Sequence, residues 1–166
     1  AHLLAKVEGL IVQRKQQLQQ LDNLLKSVFM EMFGDPVRNE NGWDTGPLID
    51  FCDVKGGKRI PKGESLINEN TGFPYIKAGN IKNGEVTMKD LEFVTPEVRK
   101  LISRYTVDEG DVCITVVGAN IGDVGIVPTT LHKASLTENA NKLLIKEKQR
   151  LNNHYLAHYL MSGYVQ

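Results

Sequence analysis

Two cysteines, one tryptophan and no net charge are what this chain of 166 residues has least of. Cys52 and Cys113 are far apart, lie in apolar surroundings and lack C-x-x-C spacing, so buried free thiols are expected in place of a disulfide or a metal pair. Twenty basic residues balance twenty acidic ones, which removes any global pull towards nucleic acid or membrane; such a role has to rest on a local patch. No apolar run is long enough to span a bilayer, and the N-terminus lacks the basic flank and cleavage site of a signal peptide. A cytoplasmic location without a membrane partner is the expectation. With 41% hydrophobic and 24% charged residues, the composition is that of a globular domain with a real core.

Catalytic signatures are missing as well. GGKRIPKGES comes nearest to a P-loop but lacks its spacing and its Lys-Ser or Lys-Thr pair, and no G-x-S-x-G elbow occurs. His154 and His158 stand four apart, yet the glutamate of H-E-x-x-H is absent and Tyr155 and Tyr159 crowd the segment, so no metal site is expected. Asp108, Glu109 and Asp111 read as a turn, and FPYI does not supply the Asn-Pro-Pro-Tyr type of motif that adenine methylation in DNA calls for. The glycine-rich VVGANIGDVGIV, residues 116–127, has G-x-x-x-G-x-x-G spacing between two β-branched runs. A dinucleotide loop needs G-x-G-x-x-G opening a helix, so a hairpin is the better reading. No catalytic residue is assigned.

What is present begins with a long amphipathic stretch. Leu4, Ile11, Leu18, Leu25 and Met32 recur every seven residues, Val7, Leu21 and Val28 fill the seam between them, and Leu3, Leu10 and Leu24 widen it. A sustained seven-residue repeat is a coiled-coil pattern, because only underwound helices keep such a seam facing a partner. Packing on the following domain is one possibility; a partner helix outside this chain is the other, and the length of the seam favours it. Arg14 is the polar exception in the seam. Gly34 and Asp35-Pro36 end the helix after Phe33, and a polar linker over 34–42 leads to Trp43, where a second unit is expected to begin.

From there the chain changes to short β-type runs. PLIDFCDV reads as a helical turn from Pro47 or a short strand, and FPYIKA as a strand. IKNGEVTM carries Asn83-Gly84, a strong hairpin signal. Thr95-Pro96 opens a short helix, PEVRKLIS. DEGDVCITVVG is a turn running into a buried strand, NKLLIK another strand, and LNNHYLAHYLMSGYVQ a closing helix that runs into Gln166. The fold class is α+β: a long N-terminal coiled-coil helix, then a mixed, mostly antiparallel β-rich domain with short peripheral helices.

The positive functional signal is local. Lys55, Lys58, Arg59 and Lys62 fall within eight residues with no acid between them, and residues 55–104 hold ten basic side chains against six acidic. Such a loop suits phosphate oxygens. Lys77, Asn80, Lys82, Asn83, Asn120, Thr137, Asn139 and Asn141 add amides, a hydroxyl and cations near predicted loop tips. Asn reads adenine and Arg or Lys reads guanine by paired hydrogen bonds, so the mixture fits a base-reading surface.

The order LDNLLKSVFMEMFGDP, a tryptophan, GGKRIPKG, FPYIKAGNIKNGE, VDEGDVCITVVGANIGDVGIV, NAN and YLAHYLMS resembles the specificity subunit of type I restriction-modification systems. The resemblance implies a spacer helix over 1–33 and one target recognition domain over 43–166 lacking its last segment. It implies duplex DNA as ligand, one half of a split site as target, and a second recognition half or a second copy packed on the helix through Leu4, Val7, Ile11, Leu18, Leu21, Leu25 and Val28. It also implies a modification subunit that carries S-adenosylmethionine and a restriction subunit reached through the complex, with no cofactor in this chain. A coiled-coil protein-interaction module without DNA binding is the alternative, and an enzyme with an unrecognised motif the weakest reading.

Overall fold

The computed structural model describes residues 2–162 and 165, in two compact units, Ala1–Thr45 and Gly46–Gln166. In the first, α1 (His2–Phe33) is one unbroken helix of 32 residues, about 50 Å long at 1.5 Å per residue. Its seam is open: Leu4, Val7, Ile11, Leu18, Leu21, Leu25 and Val28 are between 40% and 69% exposed. A single helix has no second surface with which to cover its own stripe. Arg14, at the polar break, donates from Nη1 to Gln17 Oε1 at 3.1 Å.

The helix stops at Gly34, whose φ of +75° is left-handed and whose N–H donates to the Met30 carbonyl at 2.9 Å. The expected linker is a structured turn. Asp35 Oδ1 accepts from the Val37 N–H at 2.8 Å, and Asn39 exchanges two hydrogen bonds with the Trp43 backbone, at 2.8 and 2.9 Å. The Trp43 indole donates to the Phe33 carbonyl at 2.9 Å. Trp43 therefore belongs to the helical unit, and the second unit opens at Gly46.

In the second unit PLIDFCDV forms both candidate structures in succession, α2 (Leu48–Phe51) and then β1 (Cys52–Gly56). They are followed by β2 (Pro74–Ile76), β3 (Ile81–Lys82), β4 (Gly84–Val86), β5 (Glu92–Phe93), α3 (Pro96–Leu101), β6 (Val112–Thr115), β7 (Val124–Ile126), β8 (Ser135–Leu136), β9 (Ala140–Ile145) and α4 (Asn153–Leu160). One sheet has the order β1-β9-β6-β7-β4-β3 and the other β5-β2-β8. β4 with β7 and β2 with β8 are parallel; the remaining pairs are antiparallel. The glycine-rich motif is a hairpin between β6 and β7, and Asn83-Gly84 turns β3 into β4 with φ of +53° and +83°.

Period-two alternation explains how such short strands make a core. Cys113 on β6, Ile76 on β2, Ile81 on β3 and Leu136 on β8 share one buried cluster, which also takes in Val107, Val127 and Leu131. On β6, Val112 and Ile114 turn the other way and meet Val124, Leu143, Leu156, Ala157 and Leu160 beneath α4. Tyr75 turns away from Ile76 towards Val94, Val98 and Ile102, on and around α3. Burying each of these aliphatic side chains stabilises the fold by roughly 1.5–3 kcal/mol.

Both helices are capped from the side: Thr95 Oγ1 accepts from the Val98 N–H at 3.3 Å, and Asn152 Oδ1 accepts from His154 and Tyr155 at 2.8 and 3.3 Å. The last helix spans Asn153–Leu160; the expectation that it runs on to Gln166 falls on Gly163, Tyr164 and Gln166, which lie outside the described residues. Met161 still packs on the cluster beneath it, and the Ser162 N–H and hydroxyl both turn back to the Tyr159 carbonyl, at 3.0 and 2.6 Å. Cys52 and Cys113 are free and fully buried, and burial pushes the Cys113 thiol up to about 12. Among the described residues no helix is long and apolar enough to cross a membrane, and no group of three or more His, Cys, Asp and Glu could hold a metal.

Candidate nucleic-acid interface

Register brings the predicted residues together. Gly56, Asn141, Ile114 and Val124 align across four strands, and the adjacent row runs Lys55, Lys142, Cys113, Gly125 and Gly84. One end of the large sheet therefore collects four segments: residues 57–62 after β1, 137–139 before β9, 116–123 between β6 and β7, and the turn at Asn83. The small sheet meets it there, because Ile76 pairs with Leu136 and the Thr137 N–H donates to the Ile76 carbonyl at 3.0 Å. Lys77 follows directly.

These segments are tied to one another by backbone. The Asn139 carbonyl accepts from Val116 and Val117 at 2.8 and 3.2 Å, and the Lys58 N–H donates to the Leu136 carbonyl at 2.8 Å. The Tyr75 hydroxyl donates to the Lys58 carbonyl at 2.8 Å. Gly57 makes the close approach possible, since a Cβ there would fall on the carbonyls of Leu136 and Thr137.

Lys55, Lys58, Lys62 and Lys82 are exposed, and among the described residues no ion pair holds them. Lys58 lies over the Tyr105 ring, 5.8 Å from its centroid. Asn120, Asn139 and Asn141 are partly buried around the same end. Lys77 is ion-paired to Glu92, which offsets its charge. With Lys82, Lys89 and Thr87 it lines a shallow cavity of about 190 Å³.

One expectation is corrected and another is refined. Asn80 is 2% exposed: its Oδ1 accepts from the Lys77 N–H at 3.0 Å, and its Nδ2 donates to the carbonyls of Lys89 and Thr87 at 2.9 and 3.3 Å. With both ends of its amide bound to backbone, it holds the chain between β2 and β4 and has nothing to offer a base. Arg59 is not an open cation, because its Nε donates to Glu138 Oε1 at 2.6 Å. Glu138 was missed, since the residues lie 79 apart in sequence. Burial pulls the Glu138 carboxyl up and the hydrogen bonds from Arg59 and Thr137 pull it down; the bonds prevail, and it sits below its ordinary range. Val117 and Ile121 stand 53% and 66% exposed on the 116–123 loop.

Residues 40–164 match the family described as type I restriction modification DNA specificity domain. The chain belongs to that family. As a specificity domain it is similar in fold to a chain from a structure addressing complex assembly and conformational transition of the type I R-M system. The TM-score is 0.57 at 20% identity, over 99% of this chain and 42% of that one. It is also similar to the HsdS subunit from Thermoanaerobacter tengcongensis, with TM-score 0.52 at 21% identity, over 94% of this chain and 39% of that subunit. No curated protein matches it significantly. The specificity domain thus shares with these structures a long helix followed by a mixed-sheet domain, and it spans about two-fifths of their length.

Proposed function

We propose that this chain recognises DNA sequence as part of a type I specificity subunit, its sheet unit reading one half of a bipartite site. The observation that carries this reading is the convergence of four loop segments, with Lys55, Lys58, Lys62, Lys82, Asn120, Asn139 and Asn141, at one sheet end of a specificity domain. Unpaired lysines hold the phosphates and set the register of the domain on the duplex, while amides and the Arg59 fork contact base edges. The chain is the non-catalytic component. Methyl transfer belongs to a modification subunit, which carries S-adenosylmethionine, and cleavage to a restriction subunit joined through the complex.

The exposed seam of α1 supports a second role. A stripe of Leu, Ile and Val left 40% to 69% exposed from Leu4 to Val28, about 36 Å at 1.5 Å per residue, is stable in solution only when a partner helix covers it. That helix comes from a second recognition half or a second copy of this chain. The length of the packed pair then sets the distance between half-sites and gives the modification subunit its dock. The test is selection from a randomised duplex pool by this chain together with a type I modification subunit. Enrichment of a short motif is expected. Retention of the modification subunit with no motif enriched would overturn base reading by this domain.

A further inference from the structure

The pair between Arg59 and Glu138 has no evident structural purpose. Arg59 is 76% exposed, so the pair adds little to stability, and its opposed charges cancel the long-range attraction that a phosphate contact uses. What the pair does supply is orientation. The Arg59 Nε is fixed on Glu138 Oε1 at 2.6 Å, while among the described residues neither terminal nitrogen of the guanidinium has a protein partner.

The support behind Glu138 is deep. Its second oxygen accepts from the Thr137 hydroxyl at 3.0 Å, and Thr137 is 5% exposed. The backbone of Thr137 is held by the Ile76 carbonyl, and the backbone leading to Arg59 by Leu136 and Tyr75. Gly57 lets these two strips lie against each other. An exposed side chain on a flexible stem is thereby tied at its base to the core of the unit.

We infer that Arg59 is a base-reading residue whose free guanidinium fork pairs with O6 and N7 of a guanine in the major groove, and that Glu138 is the positioning residue that aims it. The inference rests on the DNA-recognition reading above. It distinguishes Arg59 from Lys62 and Lys82, which are exposed, unpaired and flexible and therefore suited to phosphates wherever the backbone runs. A planar fork fixed at Nε presents two parallel N–H donors at a set angle, the pattern that guanine alone offers to accept among the four bases.

The experiment is selection from the randomised duplex pool with the full chain and its modification subunit, repeated with Arg59→Lys, Glu138→Ala and Glu138→Gln. Each retained pool is sequenced, and affinity is measured against salt. Arg59→Lys keeps the charge and loses the fork, so preference is expected to fall roughly 10- to 100-fold at one G·C pair while other positions keep theirs. Glu138→Ala is expected to relax the same position while steepening the salt slope by about 0.9, because the freed arginine can take a phosphate. Glu138→Gln keeps an acceptor and should restore part of the preference. If wild type enriches a motif but Arg59→Lys changes all sequences alike, or none, Arg59 does not read a base and DNA recognition stands without it. If wild type enriches nothing, both readings fall.

Discussion

The helical unit and the sheet unit use the same aliphatic residues in opposite ways. In the sheet unit Ile76, Ile81, Leu131 and Leu136 are buried to 1% exposure or less; along α1 Leu4, Ile11, Leu18 and Leu25 stand at least half exposed. Helix propensity and a clean Gly34 stop are enough to define α1 as an element, but its stripe contributes little until something covers it. The sheet unit is the reverse. Its strands are two to six residues long and none would persist alone, yet their two faces are filled by three clusters. One unit buries its aliphatic side chains against one another and the other leaves them open.

That contrast is sharpest for paired truncations. Ile76→Ala is expected to destabilise the sheet unit by about 2–5 kcal/mol in urea unfolding, whereas Leu18→Ala should change stability by less than about 0.5 kcal/mol in the chain alone. A large loss from Leu18→Ala would mean that the stripe is already covered and would break the contrast. Gly57→Ala follows at roughly 1–3 kcal/mol, since the new Cβ forces the 57–59 strip away from Thr137; hydrogen exchange at the Lys58 amide should rise with it. Thr95→Ala removes the cap of α3 and is expected to cost about 1 kcal/mol in the same unfolding assay. Lys62→Ala should leave folding untouched and lower the salt slope of DNA binding by about 0.9, equally for all sequences. An effect confined to one base pair would move Lys62 into the reading set.

The smallest effect concerns acid. The hydrogen bond from Lys133, opposed by partial burial and aided by the charge of Lys133, holds the Asp108 carboxyl below its ordinary value of 3.8. The stability it lends is present above that value and is lost as the pH falls through the depressed folded one. Asp108 is 44% exposed, so screening keeps this below about 0.5 kcal/mol. Asp108→Asn should flatten the acid limb of the stability profile by that little and leave pH 7 unfolding nearly unchanged.

Legibility in the sequence followed the range of the interaction. The cap at Thr95, the turn at Asn83-Gly84, the stop at Gly34 and the β6-β7 hairpin depend on neighbours within a few residues, and all were readable. The pairing of Cys52 with Ile145, and the parallel pairs of β4 with β7 and β2 with β8, depend on segments far away, for which no local pattern exists. The same holds within the candidate interface. The lysines were recognisable as a cluster. Asn80 is the exception to range: its backbone partners lie three to nine residues away, yet it carries the same amide as Asn120, and only the folded turn shows it bound to backbone. Glu138 became visible only when a strand register brought it to Arg59.

The neighbouring of β1 and β9 also sets a schedule. On a ribosome, β1 emerges roughly ninety residues before its partner, about 5–20 s at ordinary elongation rates. For that interval α1 is already helical and uncovered, and β1 has an open edge beside it in time. The chain thus spends that interval with the α1 stripe uncovered and β1 unpaired. Cells that make it gain from a partner or a chaperone that meets α1 before Ile145 has left the tunnel, and overproduction without one should favour aggregation of nascent chains even though the finished sheet unit is well packed.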